Sequence, residues 1–369
     1  MTYQFDAVVD RSGNHSAKYD ERKKKFGTEN VIPLWIADMD FKTAQPIIDA
    51  LKARAEEGIW GYTARPDSYF EAIRGWQKRR NGWDIDQSLM SFSLGVVQTL
   101  SACVKLFTPE GGSVLIQTPV YSEFYDMTEA WNRKVLENQF VEKDGKWTVD
   151  WADFEEKLKQ ADLFLLCSPH NPMGRVWSEE ELCRMGDICL KHNVLVVSDE
   201  IHFDIIMPGH KHVSYPTLGE KYANNCVMCC AASKTFSLAG LCVANAIIPN
   251  PELRDKLNNE VNISGCYTYS IFGLRALEAG YMKCAEWVDQ LNEHIWGNYL
   301  YFKEFMAKHF PEVWVADLEG TYLCWFDCRC FGMDGETLAK FLQEKAQLFL
   351  DDGYIFGTAG DGFERINLA

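Results

Sequence analysis

Short apolar runs, rich in β-branched residues, recur through the middle of the chain and are separated by amphipathic stretches. We predict that these runs form β-strands, which lie at 113–118, 163–167, 194–198, 225–230 and 243–248. Polar residues hardly interrupt the runs, so the strands should be buried on both faces, as in a mostly parallel sheet covered by helices.

Amphipathic segments between the runs predict helices. In the clearest of them, Ser178 precedes an apolar stripe at helical spacing and Glu181 follows three residues later, which is the pattern of a capping box. The alternation of strands and helices predicts an α/β fold with a doubly wound sheet.

The predicted strands and helices define two domains. We predict that residues 46–270 form a large domain around the sheet. Residues 1–45 are irregular, and residues 271–369 combine long helical patterns with a strand-like segment at 321–328. These two ends of the chain are therefore expected to form one smaller α+β domain.

The composition is that of a globular protein, with 47% hydrophobic and 24% charged residues in a chain of 369. Lysine and arginine number 37 against 53 aspartates and glutamates, and the resulting net charge of −16 disfavours binding to nucleic acid or to anionic membranes. No uncharged apolar stretch is long enough to cross a membrane, so we expect no membrane anchor.

The chain has 13 cysteines, several of them within apolar runs, which indicates free thiols and predicts a protein of the reducing cytoplasm. Cys324, Cys328 and Cys330 lie close together, and a metal site is one interpretation of them. They lack a second cysteine pair at zinc-finger spacing and a nearby histidine. We therefore interpret them as core and edge-strand residues and expect no metal.

Polar residues follow three of the predicted strands, where ligands bind in open α/β sheets. Asn171 follows the strand at 163–167, Asp199 follows the strand at 194–198, and Lys234 follows the strand at 225–230. A poorly hydrated lysine has a lowered pKa and can attack an aldehyde to form a Schiff base. A carboxylate in the same pocket can keep a heteroaromatic nitrogen protonated, and an amide can donate to a ring oxygen.

A fourth segment is a possible anion site. In it, Gly95, Val96 and Val97 connect a strand-like run to a helical pattern. Gly95 is expected to let the backbone turn, so that the first amides of the helix face a phosphate. An ordinary strand-to-helix turn explains this segment equally well.

Together these motifs resemble the fold-type I pyridoxal-phosphate enzymes of the class I/II aminotransferase family. More narrowly, they are similar to the MalY/PatB branch, whose members are carbon–sulfur lyases that include cystathionine β-lyases. The resemblance spans nearly the whole chain and rests on seven segments in one order, at 11–20 (RSGNHSAKYD), 33–41 (PLWIADMDF), 61–73 (GYTARPDSYFEAI), 118–125 (TPVYSEFY), 168–177 (SPHNPMGRVW), 198–204 (SDEIHFD) and 233–240 (SKTFSLAG).

The resemblance implies that pyridoxal 5'-phosphate is the cofactor and that Lys234, Asp199 and Tyr121 are the catalytic residues. Lys234 would bind the cofactor aldehyde and Asp199 would pair with the ring nitrogen. Tyr121 would stack on the ring. Asn171 would donate to the ring oxygen, and His202 would either lie near that oxygen or be a packed, hydrogen-bonded histidine.

The phosphate, according to the same resemblance, would lie against Gly95, Val96, Val97 and Ser233. Tyr62 would reach the phosphate of the neighbouring subunit's site, which implies a homodimer with shared active sites.

The resemblance also implies residues that bind an amino-acid substrate. Arg365 would bind the α-carboxylate, a task suited to the planar guanidinium group. Ala37 would close over the substrate through its backbone, and Tyr121 and Asn171 would complete this site.

The sequence departs from the family pattern at two positions and in length. Ala231 and Cys242 stand where many aminotransferases carry a serine and an arginine that contact the phosphate, and this favours a lyase over a transaminase. The family chain continues into a final helix after the carboxylate-binding arginine, whereas this sequence ends at Ala369.

The expected reaction is α,β-elimination at cysteine S-conjugates such as cystathionine, which gives a thiol, pyruvate and ammonia. Two alternatives stay open at this point. One is an aminotransferase of the same fold, and the other is a regulatory protein that keeps the cofactor pocket but acts by binding a partner.

Overall fold

The computed structural model describes residues 3–143 and 146–369. Its strands are β1 Ile32–Pro33, β2 Met90–Ser93, β3 Ser113–Thr118, β4 Lys134–Lys143, β5 Lys146–Val149, β6 Leu163–Cys167, β7 Leu195–Asp199, β8 Cys226–Cys230, β9 Ala244–Ile247, β10 Trp314–Val315, β11 Leu323–Asp327, β12 Leu348–Phe349, β13 Asp351–Asp352 and β14 Phe363–Asn367. Its α-helices are α1 Ala17–Asp20, α2 Arg22–Phe26, α3 Gln45–Glu56, α4 Asp67–Asn81, α5 Val96–Phe107, α6 Glu123–Ala130, α7 Trp151–Leu158, α8 Glu179–His192, α9 Glu220–Ala223, α10 Ala232–Thr235, α11 Pro251–Ile263, α12 Ile271–Lys283, α13 Ala285–His309 and α14 Gly335–Phe341.

An eight-stranded sheet forms the centre of the molecule, in the order β2-β9-β8-β7-β6-β3-β4-β5. The five strands from β8 to β4 are parallel, which confirms the predicted α/β fold. The residues of β6, β7 and β8 are buried, as expected for strands covered on both faces. These three neighbouring strands therefore end at one edge of the sheet.

The two ends of this mostly parallel sheet are antiparallel. β9 runs antiparallel to β8, and β2 runs antiparallel to β9. At the other end, β4 and β5 form an antiparallel pair that the sequence pattern did not predict. Most residues of this pair are exposed or half-buried, so they lack the continuous apolar run that identified the central strands.

The ends of the chain meet in a second layer. β10, β11, β14 and β13 form an antiparallel sheet, and β1 pairs in parallel with β12. Residues 1–45 are less irregular than predicted, because α1, α2 and β1 lie within them. α12 packs on α3 and α4, so its contacts lie with helices assigned to the large domain. The division at residues 45 and 270 stays a prediction.

Two further features bear on the sequence-based expectations. In the described part of the chain, no helix combines the length and hydropathy that a membrane span requires. All 13 cysteines are free thiols, and Cys324 and Cys328 are buried whereas Cys330 is exposed.

The predicted capping box of α8 is present. The Ser178 hydroxyl accepts a hydrogen bond from the Glu181 amide at 3.2 Å, and the Glu181 carboxylate accepts one from the Ser178 amide at 3.0 Å. The helix then packs Leu182, Met185 and Cys189 into the core. This cap fixes where the chain enters α8 after the loop that follows β6.

We expect Ser178→Ala to lower the free energy of unfolding by about 1 kcal/mol, because one amide of the first turn loses its acceptor. Ser122→Ala is the matched control, since Ser122 precedes α6 without a capping hydrogen bond from its side chain. Urea unfolding followed by circular dichroism measures both variants. Equal losses in the two variants would contradict the role of the cap.

Candidate active site

A cavity of about 230 Å³ lies beyond the carboxyl ends of the central strands. Asp199 is the last residue of β7, Asn171 lies in the loop after β6, and Lys234 lies in α10 directly after β8. The parallel order of these strands therefore brings together three groups that are far apart in sequence. The residues predicted for the site that line this cavity are Ala37, Gly95, Val96, Val97, Tyr121, Asn171, Asp199, His202, Ser233 and Lys234.

The amine of Lys234 donates a hydrogen bond of 2.7 Å to the carbonyl oxygen of Ala37. Burial, followed by the charge of Arg365, lowers the pKa of Lys234 to about 8, against the opposing influence of Asp38 and Asp199. A substantial fraction of this amine is therefore neutral near physiological pH, and a neutral amine is a nucleophile and a base.

The carboxylate of Asp199 is buried, and within the described residues its hydrogen bond is with the backbone amide of Ile201, at 3.1 Å. Burial raises the pKa of Asp199 to about 7. A carboxylate with so few donors is costly to keep charged, and a protonated ring nitrogen would supply both a donor and a counter-charge.

Asn171 and Arg365 form a connected pair beside the cavity. Arg365 Nη1 donates to Asn171 Oδ1 at 2.9 Å, and this leaves the Asn171 amide NH2 group as the one that can donate toward a ligand. Arg365 also donates to the carbonyl oxygen of Trp35 at 2.9 Å and pairs with Asp351. Burial lowers the pKa of Arg365 to about 10, so it remains a cation at neutral pH.

The rings of His202 and Tyr121 border the same cavity. His202 is buried, and its Nδ1 has no hydrogen-bond partner among the described residues. Burial, followed by the charges of Lys234 and Arg365, lowers the pKa of His202 well below its usual range, so the ring is neutral. His202 therefore lies in the cavity wall with a ring nitrogen that is unpartnered within the described part of the chain. Burial also raises the pKa of Tyr121, which keeps its phenol protonated.

Gly95 precedes α5, but the reason for a glycine differs from the predicted one. Its φ of −174° and ψ of 156° describe extended backbone that any residue can adopt, so the turn does not require glycine. A Cβ atom built on Gly95 meets no other atom within 4 Å. Because Gly95 lines the cavity at the start of a helix of 12 residues, the missing side chain leaves open the space where an anion can approach the first amides.

Tyr62 lies apart from this cavity. Its side chain is 99% exposed and borders a separate hollow with Trp60, Tyr267 and Tyr269. The chain by itself therefore does not bring Tyr62 to the other predicted residues, and its role across a subunit interface stays a prediction.

The sequence pattern missed several residues that shape the site. Tyr322 donates to the carbonyl oxygen of Ala37 at 2.9 Å, and Asp351 pairs with Arg365. Apolar side chains that were not predicted also line the cavity, namely Leu94, Cys167, Ile201, Ala239 and Val243. Nothing in the sequence distinguishes these side chains from ordinary core residues, because their roles follow from tertiary placement.

Comparison with known proteins identifies the family. The sequence model of the family "Aminotransferase class I and II" matches residues 29–369. The chain belongs to this family. Cystathionine beta-lyase PatB of Bacillus subtilis (strain 168) is 39% identical over 98% of this chain and 94% of its own. Protein MalY of Escherichia coli (strain K12) is 32% identical over 99% of this chain and 94% of its own.

A solved crystal structure has the same fold as this chain. Cystalysin from Treponema denticola, whose crystal structure contains pyridoxal 5'-phosphate, superposes with a TM-score of 0.97 at 38% identity. The superposition covers 100% of this chain and 95% of cystalysin. Because the superposition covers the whole chain, it includes the strand ends that form the cavity.

We expect Gly95→Ala to weaken binding of pyridoxal 5'-phosphate at least about tenfold, because the added methyl group takes space at the helix start where the phosphate approaches. The fold should tolerate the change, since no protein atom lies in the way. Gly297→Ala in α13 is the matched control, because it also meets open space but is not part of the cavity lining. Cofactor titration followed by absorbance measures both, and unchanged affinity in Gly95→Ala would contradict the assignment.

Proposed function

We propose that this protein is a pyridoxal-phosphate-dependent carbon–sulfur β-lyase. It cleaves the Cβ–S bond of cysteine S-conjugates such as cystathionine and yields a thiol, pyruvate and ammonia. The observation that carries this proposal is the placement of a partly neutral amine, Lys234, and a buried carboxylate, Asp199, in one cavity. The similarity to PatB over nearly the whole chain favours the lyase reaction over amino transfer.

The residues present fit the cofactor. Asp199 would hold the ring nitrogen, Asn171 would donate to the ring oxygen, and Tyr121 would lie against the ring. The start of α5 and Ser233 would hold the phosphate. Pyridoxal phosphate, when bound, supplies an aldehyde for the amine and a ring that accepts the electron pair released at Cα of the substrate.

Lys234 is the base of the proposed reaction. With the cofactor bound, its amine would remove the proton from Cα of the substrate, and its pKa of about 8 suits this task near neutral pH. The Ala37 carbonyl holds the amine in place through the hydrogen bond of 2.7 Å. The electron pair from Cα would then form a Cα=Cβ bond as the Cβ–S bond breaks with its electrons going to sulfur. The thiolate would take a proton from Lys234 or from the phenol of Tyr121, and one water molecule would hydrolyse the remaining three-carbon unit to pyruvate and ammonia.

Arg365 is the proposed ligand of the substrate α-carboxylate. It is a buried cation that donates to Asn171, which lines the cavity, whereas Arg365 itself is not among the lining residues. A substrate carboxylate would therefore meet Asn171 first and would reach the guanidinium by displacing one of its present partners. Asp351 neutralises part of this charge in the free protein, and an arriving carboxylate would compete with it.

One activity assay distinguishes the proposed function from its alternatives. The purified protein with bound cofactor is incubated with cystathionine or S-methylcysteine, with and without a keto acid. A lyase releases pyruvate and thiol in equal amounts without the keto acid, whereas an aminotransferase requires it and releases little pyruvate. A protein that acts only by binding a partner would show neither reaction.

Lys234→Ala is expected to abolish pyruvate release, because no other amine is predicted to form the cofactor bond and to remove the Cα proton. Lys221→Ala is the control, since this lysine is exposed and pairs with Asp187 on the surface. Pyruvate is measured with a coupled assay under saturating substrate. Full activity in Lys234→Ala would rule out the assigned base.

We also propose that the protein is a homodimer with shared active sites and that it is cytoplasmic. Several large apolar side chains are exposed on neighbouring segments, with Ile59 77%, Trp60 61%, Tyr62 99%, Ile263 72% and Tyr267 57% exposed. Such a surface is typical of a protein–protein interface, and a second copy that covers it would bring Tyr62 to the partner's phosphate site. The 13 free cysteines support a reducing compartment.

Mixing two inactive variants tests the shared sites. Tyr62→Ala and Lys234→Ala, unfolded together and refolded with cofactor, should regain about one quarter of the wild-type activity, because half of the dimers contain one intact site. Each variant refolded alone is the control. No recovery from the mixture, despite dimers by light scattering, would contradict the placement of Tyr62 in the partner's site.

A further inference from the structure

The loop at residues 35–41 carries the backbone that meets the reacting amine. The carbonyl oxygen of Ala37 accepts one hydrogen bond from Lys234 Nζ at 2.7 Å and another from the Tyr322 hydroxyl at 2.9 Å. Ala37 itself lines the cavity. A displacement of this loop would therefore change both the position of the amine and the shape of the cavity.

The loop at residues 35–41 belongs to no strand or helix, so no regular pattern of backbone hydrogen bonds holds it. Asn367 donates to the carbonyl oxygens of Ile36 and Asp38, at 2.8 and 2.7 Å. The amide of Met39 donates to the hydroxyl of Ser237 at 3.0 Å. These bonds hold one side of the loop, and the side chains of Asp38 and Asp40 extend from the other.

Two cations from the N-terminal segment hold those carboxylates. Arg11 forms a fork on Asp38, with Nη2–Oδ2 and Nη1–Oδ1 distances of 2.6 and 3.1 Å, and its Nη1 also donates to Asp40 Oδ1 at 2.7 Å. Lys18 Nζ donates to Asp40 Oδ2 at 2.9 Å and to the carbonyl oxygen of Asp38 at 3.3 Å. Two positive and two negative side chains thus form a compact group, which we call the four-charge cluster (Arg11, Lys18, Asp38 and Asp40).

Lys18 is buried within this cluster to a degree that is unusual for a lysine. The side chain of Lys18 is 0% exposed, and a buried ammonium group is costly unless charged and hydrogen-bonding partners surround it. A methionine would fill the same volume without that cost. The segment around it is held weakly by other means, since α1 and α2 have only four and five residues, too short to be stable alone.

The cluster also controls the charge next to the site. Asp38 is close enough to favour the charged form of Lys234, and Arg11 binds that same carboxylate in a bidentate pair. Without Arg11, the carboxylate of Asp38 would keep only the longer contact with Lys18 Nζ, at 3.6 Å, and its negative charge would be less well neutralised next to a substrate carboxylate. Neither Arg11 nor Lys18 is among the residues that line the cavity.

We propose that Arg11 and Lys18 are positioning residues, which hold the loop at 35–41 through Asp38 and Asp40 so that Ala37 stays against Lys234 and in the cavity wall. This inference rests on the proposed function, because the substrate that the loop faces is the amino acid of the lyase reaction. The N-terminal segment is therefore a part of the active-site architecture, although neither Arg11 nor Lys18 lines the cavity.

The test compares Arg11→Gln and Lys18→Met with the control Arg22→Gln in the enzyme with bound cofactor. Arg22 lies in the same segment, packs on Tyr19 and donates to backbone oxygens, but it does not bind Asp38 or Asp40. We expect KM for S-methylcysteine to rise about tenfold in both cluster variants, with kcat reduced less than about threefold. Arg22→Gln should leave both constants unchanged. Thermal unfolding and cofactor absorbance show that each variant is folded and loaded.

A second substitution separates positioning from general stability. Asp38→Asn added to Arg11→Gln removes the carboxylate that has lost its Arg11 partner, and it should reverse part of the rise in KM, which a merely structural defect would not do. An unchanged KM in folded Arg11→Gln, or an equal rise in Arg22→Gln, would overturn the proposal. If Lys18→Met does not fold, Arg11→Gln decides alone, because Arg11 is partly exposed. Absence of pyruvate release from the wild type would instead refute the lyase function.

Discussion

Lys234 and Asp199 carry opposite charges at the ends of adjacent strands, in a cavity that removes much of their water. Burial lowers the pKa of the amine to about 8 and raises the pKa of the carboxyl group to about 7, so near neutral pH neither group is held firmly in its charged form. In the proposed function, a ligand that brings a cationic nitrogen to the acid and an aldehyde to the amine would make this arrangement favourable. The order of the parallel strands fixes both groups, and the rest of the site is built around them.

Much of the fold could be predicted, because burial leaves a strong mark on sequence. The strands β3, β6, β7 and β8 are continuous apolar runs in the sequence. The polar residues that follow three of them, Asn171, Asp199 and Lys234, could therefore be predicted as members of one site. The capping box of α8 was visible because its two residues are close in sequence. The pair β4–β5 was missed, since strands that are largely solvent-exposed have no such pattern. The antiparallel direction of β9 was equally hidden, because a buried strand looks the same in either direction.

The parts of the site that could not be predicted depend on contacts between distant segments. Tyr322 resembles any core aromatic residue until the fold places its hydroxyl on the Ala37 carbonyl. Gly95 was noticed for the wrong reason, because its value lies in the space it leaves and not in its backbone angles. The motif around Arg11 and Lys18 contributed to the family resemblance, but its partners Asp38 and Asp40 became clear only from the structure. A pattern along one chain cannot show which charges meet.

The central claim is that the amine of Lys234 is the one that bonds to the cofactor aldehyde. Reduction of the loaded protein with borohydride makes that bond permanent, and digestion followed by mass spectrometry then locates the pyridoxyl group. We predict the label on the peptide that contains Lys234, at that residue, with complete loss of the label in Lys234→Ala. A stable label on another lysine, or none on a protein that holds the cofactor, would contradict this account.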